Sequence, residues 1–260
     1  MKTFALVTGA SKGIGKCFAM ELAKRGYNLV LVARSASLLE NLKSTIENDF
    51  KVEVYWLDLD LSELNAPKKL LEFCQNHKIP VSILINNAGY GLFGDFQESD
   101  LDKEMNMLDL NIGSLVRLSH LFIPELKKNE KAYILNIAST AAYQTVPQLN
   151  AYSASKAFVL SFSRGLSFEL KNTSISVTCL SPGSTKTDFM ERAEMKNPKI
   201  LATAEKLGMN PEDVAKIGLD AMFKGIPEII PGLINWVGAF LTRLIPKILT
   251  EKIAASLYKE

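Results

Sequence analysis

Short apolar runs rich in β-branched residues alternate with longer segments of helical periodicity along the whole chain. Several runs, such as residues 29–33 and 83–85, are nearly continuous in apolar residues, which is typical of strands covered by helices on both faces. The predicted strands are residues 3–7, 28–33, 52–56, 83–86, 132–137, 174–180 and 228–230. This alternation predicts a single α/β domain over residues 1–260, with a doubly wound parallel sheet of about seven strands and helices on both faces.

The composition fits one large domain and argues against several classes of protein. The 260 residues, of which 47% are hydrophobic and 22% charged, suffice for a substantial core. Lys and Arg total 30 against 28 Asp and Glu, for a net charge of +2, and this balance predicts no nucleic-acid partner. The three cysteines and two histidines lack the spacing of disulfide frameworks or metal ligands, so we expect neither. Met1-Lys2 leads directly into a predicted strand rather than a targeting signal, and we expect a cytoplasmic protein.

A glycine-rich turn links the first predicted strand to the first predicted helix. Residues 8–15 read T-G-A-S-K-G-I-G. Glycines at this place let the backbone approach a pyrophosphate, which then binds at the amino terminus of the helix. The spacing T-G-x-x-x-G-x-G resembles the cofactor turn of the short-chain dehydrogenase/reductase family. The resemblance implies a Rossmann-like, nucleotide-binding fold with cofactor contacts at Gly9, Ser11, Lys12, Gly13, Ile14 and Gly15.

Two cations stand where this family distinguishes its cofactors. A carboxylate at the end of the second strand accepts hydrogen bonds from the ribose of NAD but repels the 2′-phosphate of NADP. This chain has Arg34 there, with no acid beside it, and Lys12 inside the glycine turn. Because a guanidinium fork suits a phosphate, we predict NADP(H) as the cofactor. The alternative interpretation is that both side chains are solvated surface cations.

Further segments match the family in chain order. Asp60 and Leu61 follow the third predicted strand, where the family holds the adenine, and Asp58 is the alternative if the register differs. Residues 86–89 read N-N-A-G, in which we expect Asn86 to be structural and Asn87 to approach the cofactor. The segment after the sixth strand resembles the family's P-G-x-x-x-T segment, which holds the carboxamide. The cofactor contacts implied by these two segments are Asn87, Ala88, Gly89, Pro182, Gly183, Thr185 and Thr187.

Tyr152 and Lys156 lie four residues apart and therefore share one face of a helix. Together with Ser139, and with Asn111 in the preceding predicted long helix, they resemble the catalytic tetrad of the same family. The resemblance extends over residues 3–187.

The chemistry of hydride transfer suits these side chains. Adding hydride to a carbonyl builds negative charge on its oxygen, so the site must hold and protonate that oxygen. A free tyrosine titrates near pH ~10, and the Lys156 cation is expected to favour the phenolate and bring Tyr152 towards neutral pH. The resemblance implies that both residues also contact the cofactor. It implies further that Ser139 donates to the substrate oxygen and that Asn111 anchors a water; the alternatives are that Ser139 caps a turn and Asn111 compensates for a helix bend.

The sequence thus predicts an oxidoreductase that moves a hydride between NADP(H) and a carbonyl/alcohol pair. Substrate contacts are expected from residues 90–97, from residues 141–149 and from residues 184–209, a predicted lid. Their apolar members are Phe93, Phe96, Tyr143, Val146, Phe189 and Met190. They favour a fairly hydrophobic ketone or acyl-type compound, such as a 3-hydroxyacyl or steroid-like molecule. Small hydroxy acids or aldehydes are the alternative substrates, and a catalytically silent NADP-sensing protein is the alternative function. The resemblance also implies a homo-oligomer.

The C-terminal segment, residues 226–260, is expected to hold the last strand and an apolar helical tail. Residues 231–244 are apolar nearly all round, and such a helix must be buried. We expect it to pack on the substrate cleft or against another subunit. The alternative is peripheral contact with a membrane surface, with Arg243, Lys247 and Lys252 near the headgroups.

Overall fold

Seven parallel strands form one sheet in the computed structural model, which describes residues 3–195, 198–242 and 244–258. The strands are β1 (Phe4–Thr8), β2 (Asn28–Ala33), β3 (Val54–Asp58), β4 (Val81–Asn86), β5 (Ala132–Ile137), β6 (Ile175–Leu180) and β7 (Glu228–Ile229). Their order in the sheet is β3-β2-β1-β4-β5-β6-β7, and every neighbouring pair is parallel. The predicted α/β fold with a doubly wound parallel sheet is confirmed.

Helices cover both faces of this sheet. They are α1 (Gly13–Lys24), α2 (Ala36–Phe50), α3 (Ala66–Asn76), α4 (Leu101–Leu108), α5 (Leu115–Leu126), α6 (Asn150–Glu169), α7 (Phe189–Arg192), α8 (Pro198–Leu207), α9 (Pro211–Phe223), α10 (Leu233–Leu241) and α11 (Lys247–Tyr258). Because successive strand residues point to opposite faces, two buried apolar clusters form. Phe18 of α1 and Leu219 of α9 belong to one cluster, and Leu70 of α3 and Phe122 of α5 belong to the other. Both cores lie against the sheet faces, which leaves the strand ends for a binding site.

The strand bounds follow the apolar pattern closely, although β1 is displaced by one residue, β4 begins two residues before its predicted start, at Val81, and β3 is displaced by two residues. β2 and β5 have the predicted bounds, whereas β3 begins at Val54 rather than at residue 52. Lys51, directly after α2, has a left-handed backbone with φ 54°, so the chain is still turning where the apolar run begins. The ladder between β2 and β3 starts with Leu29 opposite Val54. The apolar run contains no sign of this turn and therefore predicts the strand two residues early.

Helices α4 and α5 are joined end to end by a wider π-helical turn, Asp109–Ser114. Asn111 lies inside this turn and is buried. A π turn inserts an extra residue into a helix and is frequent at functional sites. The predicted long helix is therefore present, with its change of pitch at the predicted site residue.

The C-terminal helices differ from the prediction. The outer side chains of α10 and of the residues after it are exposed: Leu233, Trp236, Val237, Phe240, Leu241 and Leu244. The expected packing on the cleft holds for one face, where Asn235 and Ala239 are among the lining residues. Burial of residues 231–244 on all sides is wrong within this chain, because a short helix packed on the protein by one face leaves its other face exposed. Arg243, and residues 196–197 of the predicted lid, lie outside the described residues. Within the described ranges, no helix combines the length and the hydrophobicity that crossing a membrane requires.

Candidate active site

A cleft of about 1120 Å³ opens at the carboxyl ends of the strands, where doubly wound sheets bind nucleotides. Sites for one small molecule measure roughly 300–1,000 Å³, so the volume of this cleft lies above that range and suits a ligand as large as a dinucleotide. Every predicted cofactor position lines it: Gly9, Ser11, Lys12, Gly13, Ile14, Gly15, Arg34, Asp60, Leu61, Asn87, Ala88, Gly89, Tyr152, Lys156, Pro182, Gly183, Thr185 and Thr187. Ser139 lines it as well, whereas Asn111 does not.

The glycine turn between β1 and α1 forms a cradle that larger residues would fill. Gly9 and Gly13 have left-handed backbones, with φ 64° and 54°. A Cβ on Gly15 would lie 2.2 Å from the Gly9 carbonyl oxygen. No side chain caps the amino end of α1, and no acidic residue lies in its first turn. An amino end of this kind suits an anion, so these residues fit a dinucleotide pyrophosphate.

Thr8 holds this turn against the end of β4, a role that the sequence did not predict. Its Oγ1 donates to the Ile85 carbonyl at 3.1 Å and accepts from the amides of Asn87 at 2.9 Å and Ala88 at 3.0 Å. The Nδ2 of Asn87 donates back to the Thr8 carbonyl at 2.9 Å. The only signal in the sequence is the place of Thr8, as the last residue of the strand before the first glycine.

The two predicted phosphate-binding cations are each paired with a carboxylate. The Nζ of Lys12 lies 3.0 Å from Asp188, and a guanidinium nitrogen of Arg34 lies 3.7 Å from Asp60. These side chains are partly to largely exposed, and exposed ion pairs of this kind contribute little to stability. Both cations line the cleft. A dianionic phosphate can therefore compete with the carboxylates for them.

Asp60, rather than Asp58, faces the cleft. Asp60 and Leu61 line it, whereas Asp58 is exposed at the end of β3 and is not among the lining residues. The carboxylate of Asp60 accepts hydrogen bonds from the Ser62 amide at 3.0 Å and the Ser62 hydroxyl at 2.7 Å. Burial raises the pKa of Asp60, but these bonds and the Arg34 charge outweigh it, and the pKa lies below its ordinary value. Asp60 is therefore a charged acceptor at neutral pH.

Tyr152 and Lys156 lie one turn apart on α6, and both are buried. The Nζ of Lys156 donates to the Ile137 carbonyl at 2.9 Å and lies 5.8 Å from the centroid of the Tyr152 ring. Burial lowers the pKa of Lys156 to about 8, with a smaller opposing effect of Cys179. Lys156 therefore stays mostly protonated at pH 7, as a cation beside the Tyr152 ring.

Ser139 lies at the end of β5, opposite this helix. It begins a short 3₁₀ helix, Thr140–Tyr143, and its Oγ accepts a hydrogen bond from the Ala141 amide at 3.1 Å. The alternative role of capping a turn is thus present. The bond uses a lone pair of Oγ and not its proton, so a cleft-facing donor role is compatible with it.

Asn111 supports the cleft from behind. Its Nδ2 donates to the Tyr90 carbonyl at 3.0 Å and to the Ser155 hydroxyl at 3.0 Å, and its Oδ1 accepts from the Tyr90 amide at 3.1 Å. A Cβ on Gly89 would lie 2.7 Å from that Oδ1. The side chain therefore fixes the loop after β4 against α6. Anchoring of a water stays a prediction.

An apolar wall stands beside Tyr152. Of the six apolar residues predicted for the substrate region, Val146, Phe189 and Met190 line the cleft. Phe93 packs in the same cluster without lining the cleft. Phe96 is exposed. The Tyr143 hydroxyl is within hydrogen-bond distance of the Glu228 carboxylate and the Ser181 hydroxyl and does not line the cleft, so neither residue contributes to the wall. Leu92, Leu149 and Met195 also line the cleft; they lie within the three predicted substrate segments but are not among the six residues named there.

Comparison with known proteins agrees with this geometry. The family model for short chain dehydrogenases matches residues 3–198. A 7beta-hydroxysteroid dehydrogenase of Clostridium sardiniense is 33% identical over 85% of this chain and 82% of its own length. The very-long-chain 3-oxoacyl-CoA reductase-B of Danio rerio is 32% identical over 92% and 75%. The structure of a short-chain dehydrogenase from Sphingobium yanoikuyae in complex with NADPH has a TM-score of 0.81 and 29% identity, and the match covers 94% of both chains. This chain therefore belongs to the short-chain dehydrogenase/reductase family and is an oxidoreductase that acts on CH–OH groups.

Proposed function

We propose that this chain is an NADP(H)-dependent oxidoreductase that interconverts an apolar ketone or acyl-type carbonyl compound with its alcohol. The observation that carries the proposal is the juxtaposition of Tyr152, the Lys156 cation and an apolar wall in one cleft. A phenol beside a cation is an acid–base pair, and the wall favours an apolar molecule next to it.

We assign one set of cleft residues to the cofactor and another to the substrate. The glycine turn would hold the pyrophosphate, Asp60 and Leu61 the adenosine end, and Pro182 and Gly183 the carboxamide end. Arg34 and Lys12 favour the 2′-phosphate that distinguishes NADP(H), and the NADPH complex of the Sphingobium relative supports this choice. A bound nicotinamide dinucleotide supplies or accepts the hydride.

The protein's own side chains manage the proton. In the reducing direction, the Tyr152 hydroxyl donates a proton to the substrate oxygen, and in the oxidising direction the phenolate takes it back. The positive charge of Lys156 stabilises that phenolate. Ser139 donates a hydrogen bond to the oxygen as negative charge develops there. Asn111 holds the loop after β4 in a fixed position against α6. This contact keeps Tyr152 and Ser139 in place.

The substrate class follows from the wall and from the relatives. Val146, Leu149 and Phe189 offer no charge to a substrate, and the Phe189 ring lies 5.4 Å from the Tyr152 ring, centroid to centroid. The two curated relatives are named for a hydroxysteroid and for a very-long-chain 3-oxoacyl-CoA, which both present a carbonyl or alcohol on a bulky apolar skeleton. We therefore favour such compounds over small hydroxy acids and aldehydes. A silent NADP-sensing protein would have no need for Tyr152 and Ser139 in the cleft.

A substrate panel tests the proposal directly. Absorbance of NADPH is followed with bulky ketones, steroid ketones, 3-oxoacyl thioesters, small aldehydes and small oxo acids, and NADH is used in parallel. We expect turnover with the bulky apolar carbonyls and a higher kcat/KM with NADPH than with NADH. Turnover confined to small oxo acids or aldehydes would refute the substrate class, and NADPH binding without turnover of any compound would support the sensor.

Arg34→Asp is expected to reverse the cofactor preference. The change removes a charge-assisted contact with the 2′-phosphate and places a carboxylate where NAD ribose hydroxyls bind, so kcat/KM for NADPH should fall roughly 10- to 100-fold while that for NADH holds or rises. Lys68→Asp is a matched control, because Lys68 is also exposed and paired, at 3.8 Å from Glu72. Equal losses with both cofactors would contradict a role for Arg34 in the choice.

A further inference from the structure

Helix α10 carries its large apolar side chains on the outside. Leu233, Trp236 and Phe240 are 75%, 49% and 44% exposed, and Leu244, just after the helix, is 67% exposed. The spacing of three or four residues places the first three on one face of the helix. The opposite face carries Asn235, Gly238, Ala239 and Thr242, which line the cleft. A helix at the surface of a soluble protein normally has the reverse arrangement, with its large apolar side chains towards the core.

Exposed apolar side chains also occur in the next helix. Ile248 and Leu249 of α11 are 58% and 48% exposed, and the rings of Trp236 and Phe240 stack at 5.5 Å between centroids. We call these residues, with the outer side chains of α10 and Leu244, the outer face. Single exposed apolar residues are ordinary, but so many large exposed apolar side chains within residues 233–249 indicate an interaction site.

The charges around the outer face select one kind of partner. Residues 229–250 contain no Asp or Glu, while Lys247 and Lys252, both in α11, are exposed. The next acid along the chain, Glu251, accepts a hydrogen bond from Thr145 at 3.2 Å, on the body of the protein. A second copy docked by the same face would bring like charges together with no carboxylate of this segment between them. Anionic lipid headgroups match these cations, and acyl chains match the apolar side chains.

We propose that the outer face binds the surface of a membrane that contains anionic lipids, with α10 and the start of α11 lying in the interface. The cleft then opens next to the bilayer, because the inner face of α10 lines it and Ile234 stands at its mouth. An apolar substrate can pass from the lipid to the cleft over a short distance. Binding of the membrane does not depend on the proposed reaction.

Vesicle flotation tests the proposal with the full chain. The protein is mixed with vesicles of phosphatidylcholine alone or with about 30 mol% phosphatidylserine. We expect the chain to float with the anionic vesicles, less with the neutral ones, and less at high salt. The double variant Leu233→Gln/Leu244→Gln should lose roughly tenfold or more in partition coefficient. The matched control is Leu64→Gln/Leu101→Gln, at residues 68% and 66% exposed elsewhere on the surface, which should float like the wild type.

A second measurement does not rely on the double variant. The chain has two tryptophans, and Trp56 lies on β3, at the opposite edge of the sheet from β7. Anionic vesicles with brominated acyl chains should quench the wild type, and Trp236→Phe should remove that quenching. Wild-type flotation by the Leu233→Gln/Leu244→Gln variant, or equal binding to neutral vesicles, would overturn the proposal. A halved mass of that variant in light scattering, without any change in vesicle binding, would show instead that the outer face joins two copies.

Discussion

Tyr152→Phe is expected to abolish carbonyl reduction while the protein still binds NADPH. The substitution removes one oxygen from a buried side chain whose ring packs 5.4 Å from that of Phe189. The ring and its apolar contacts stay, so the cleft keeps its shape. The variant lacks the hydroxyl that we propose as the proton donor to the substrate oxygen, and general acid–base catalysis contributes typically about 10²–10⁴-fold to a rate. We expect kcat to decrease by a factor within that range, and we expect the dissociation constant of NADPH to change by less than about threefold.

The environment of Lys156 explains why the phenol can serve at neutral pH. Burial lowers the pKa of this lysine to about 8, so it keeps its charge at pH 7 and begins to lose it just above. A phenolate beside it is therefore stabilised over the physiological range. Loss of that cation at higher pH would remove the stabilisation from the same phenolate.

Tyr27→Phe is the matched control for this substitution. Tyr27 precedes β2 at the amino end of the sheet and stacks on Phe223, far along the strands from the cleft. It should retain wild-type kcat with the same NADPH affinity. Near-normal turnover by Tyr152→Phe, measured as NADPH absorbance with the best ketone of the panel, would refute the assigned proton donor. A parallel loss of NADPH binding would instead indicate that the hydroxyl acts mainly in binding the cofactor.

Local patterns in the sequence predict the sheet and many of the residues that line the cleft. A strand buried on both faces must be apolar at successive positions, and β2 and β5 are bounded where that run stops. A turn that brings the backbone to a pyrophosphate needs glycine, so Gly9 and Gly13 are marked by residue type as well as by position. Features of this kind depend on residues that are adjacent in the sequence, so a sequence pattern is enough to find them.

Contacts between distant segments are not predicted in this way. The bonds of Asn111 reach Tyr90 and Ser155, 21 and 44 residues away, and no local pattern pairs these positions. Phe96 and Phe189 are alike as residues, yet one is exposed and the other lines the cleft. The pairing of Lys12 and Arg34 with carboxylates also depends on contacts between loops that are distant in the sequence. The type of a side chain predicts which chemistry it can perform, whereas the fold determines which other residues it contacts.

Gly15→Ala is expected to damage the cofactor site from within the protein. The added Cβ would lie 2.2 Å from the Gly9 oxygen and 2.5 Å from the Nδ2 of Asn87. The first contact is with a backbone oxygen of Gly9, so no side-chain rotamer change can relieve it. The turn between β1 and α1 therefore has to move. Overpacking of this kind costs about 1–3 kcal/mol in the free energy of unfolding. The backbone amides of the displaced turn would also no longer point towards a bound pyrophosphate, so NADPH affinity should fall by about tenfold or more.

Gly165→Ala is the control that separates this effect from the general cost of a methyl group. Gly165 lies within α6, and a Cβ there would meet nothing within 4 Å. Alanine is the better helix former by roughly 1 kcal/mol, so this variant should be more stable in urea than the wild type and bind NADPH equally well. The two glycines therefore predict opposite signs for the same chemical change. If Gly15→Ala unfolds at the wild-type urea concentration and keeps its fluorescence titration with NADPH, the tight turn is not what shapes the cofactor site.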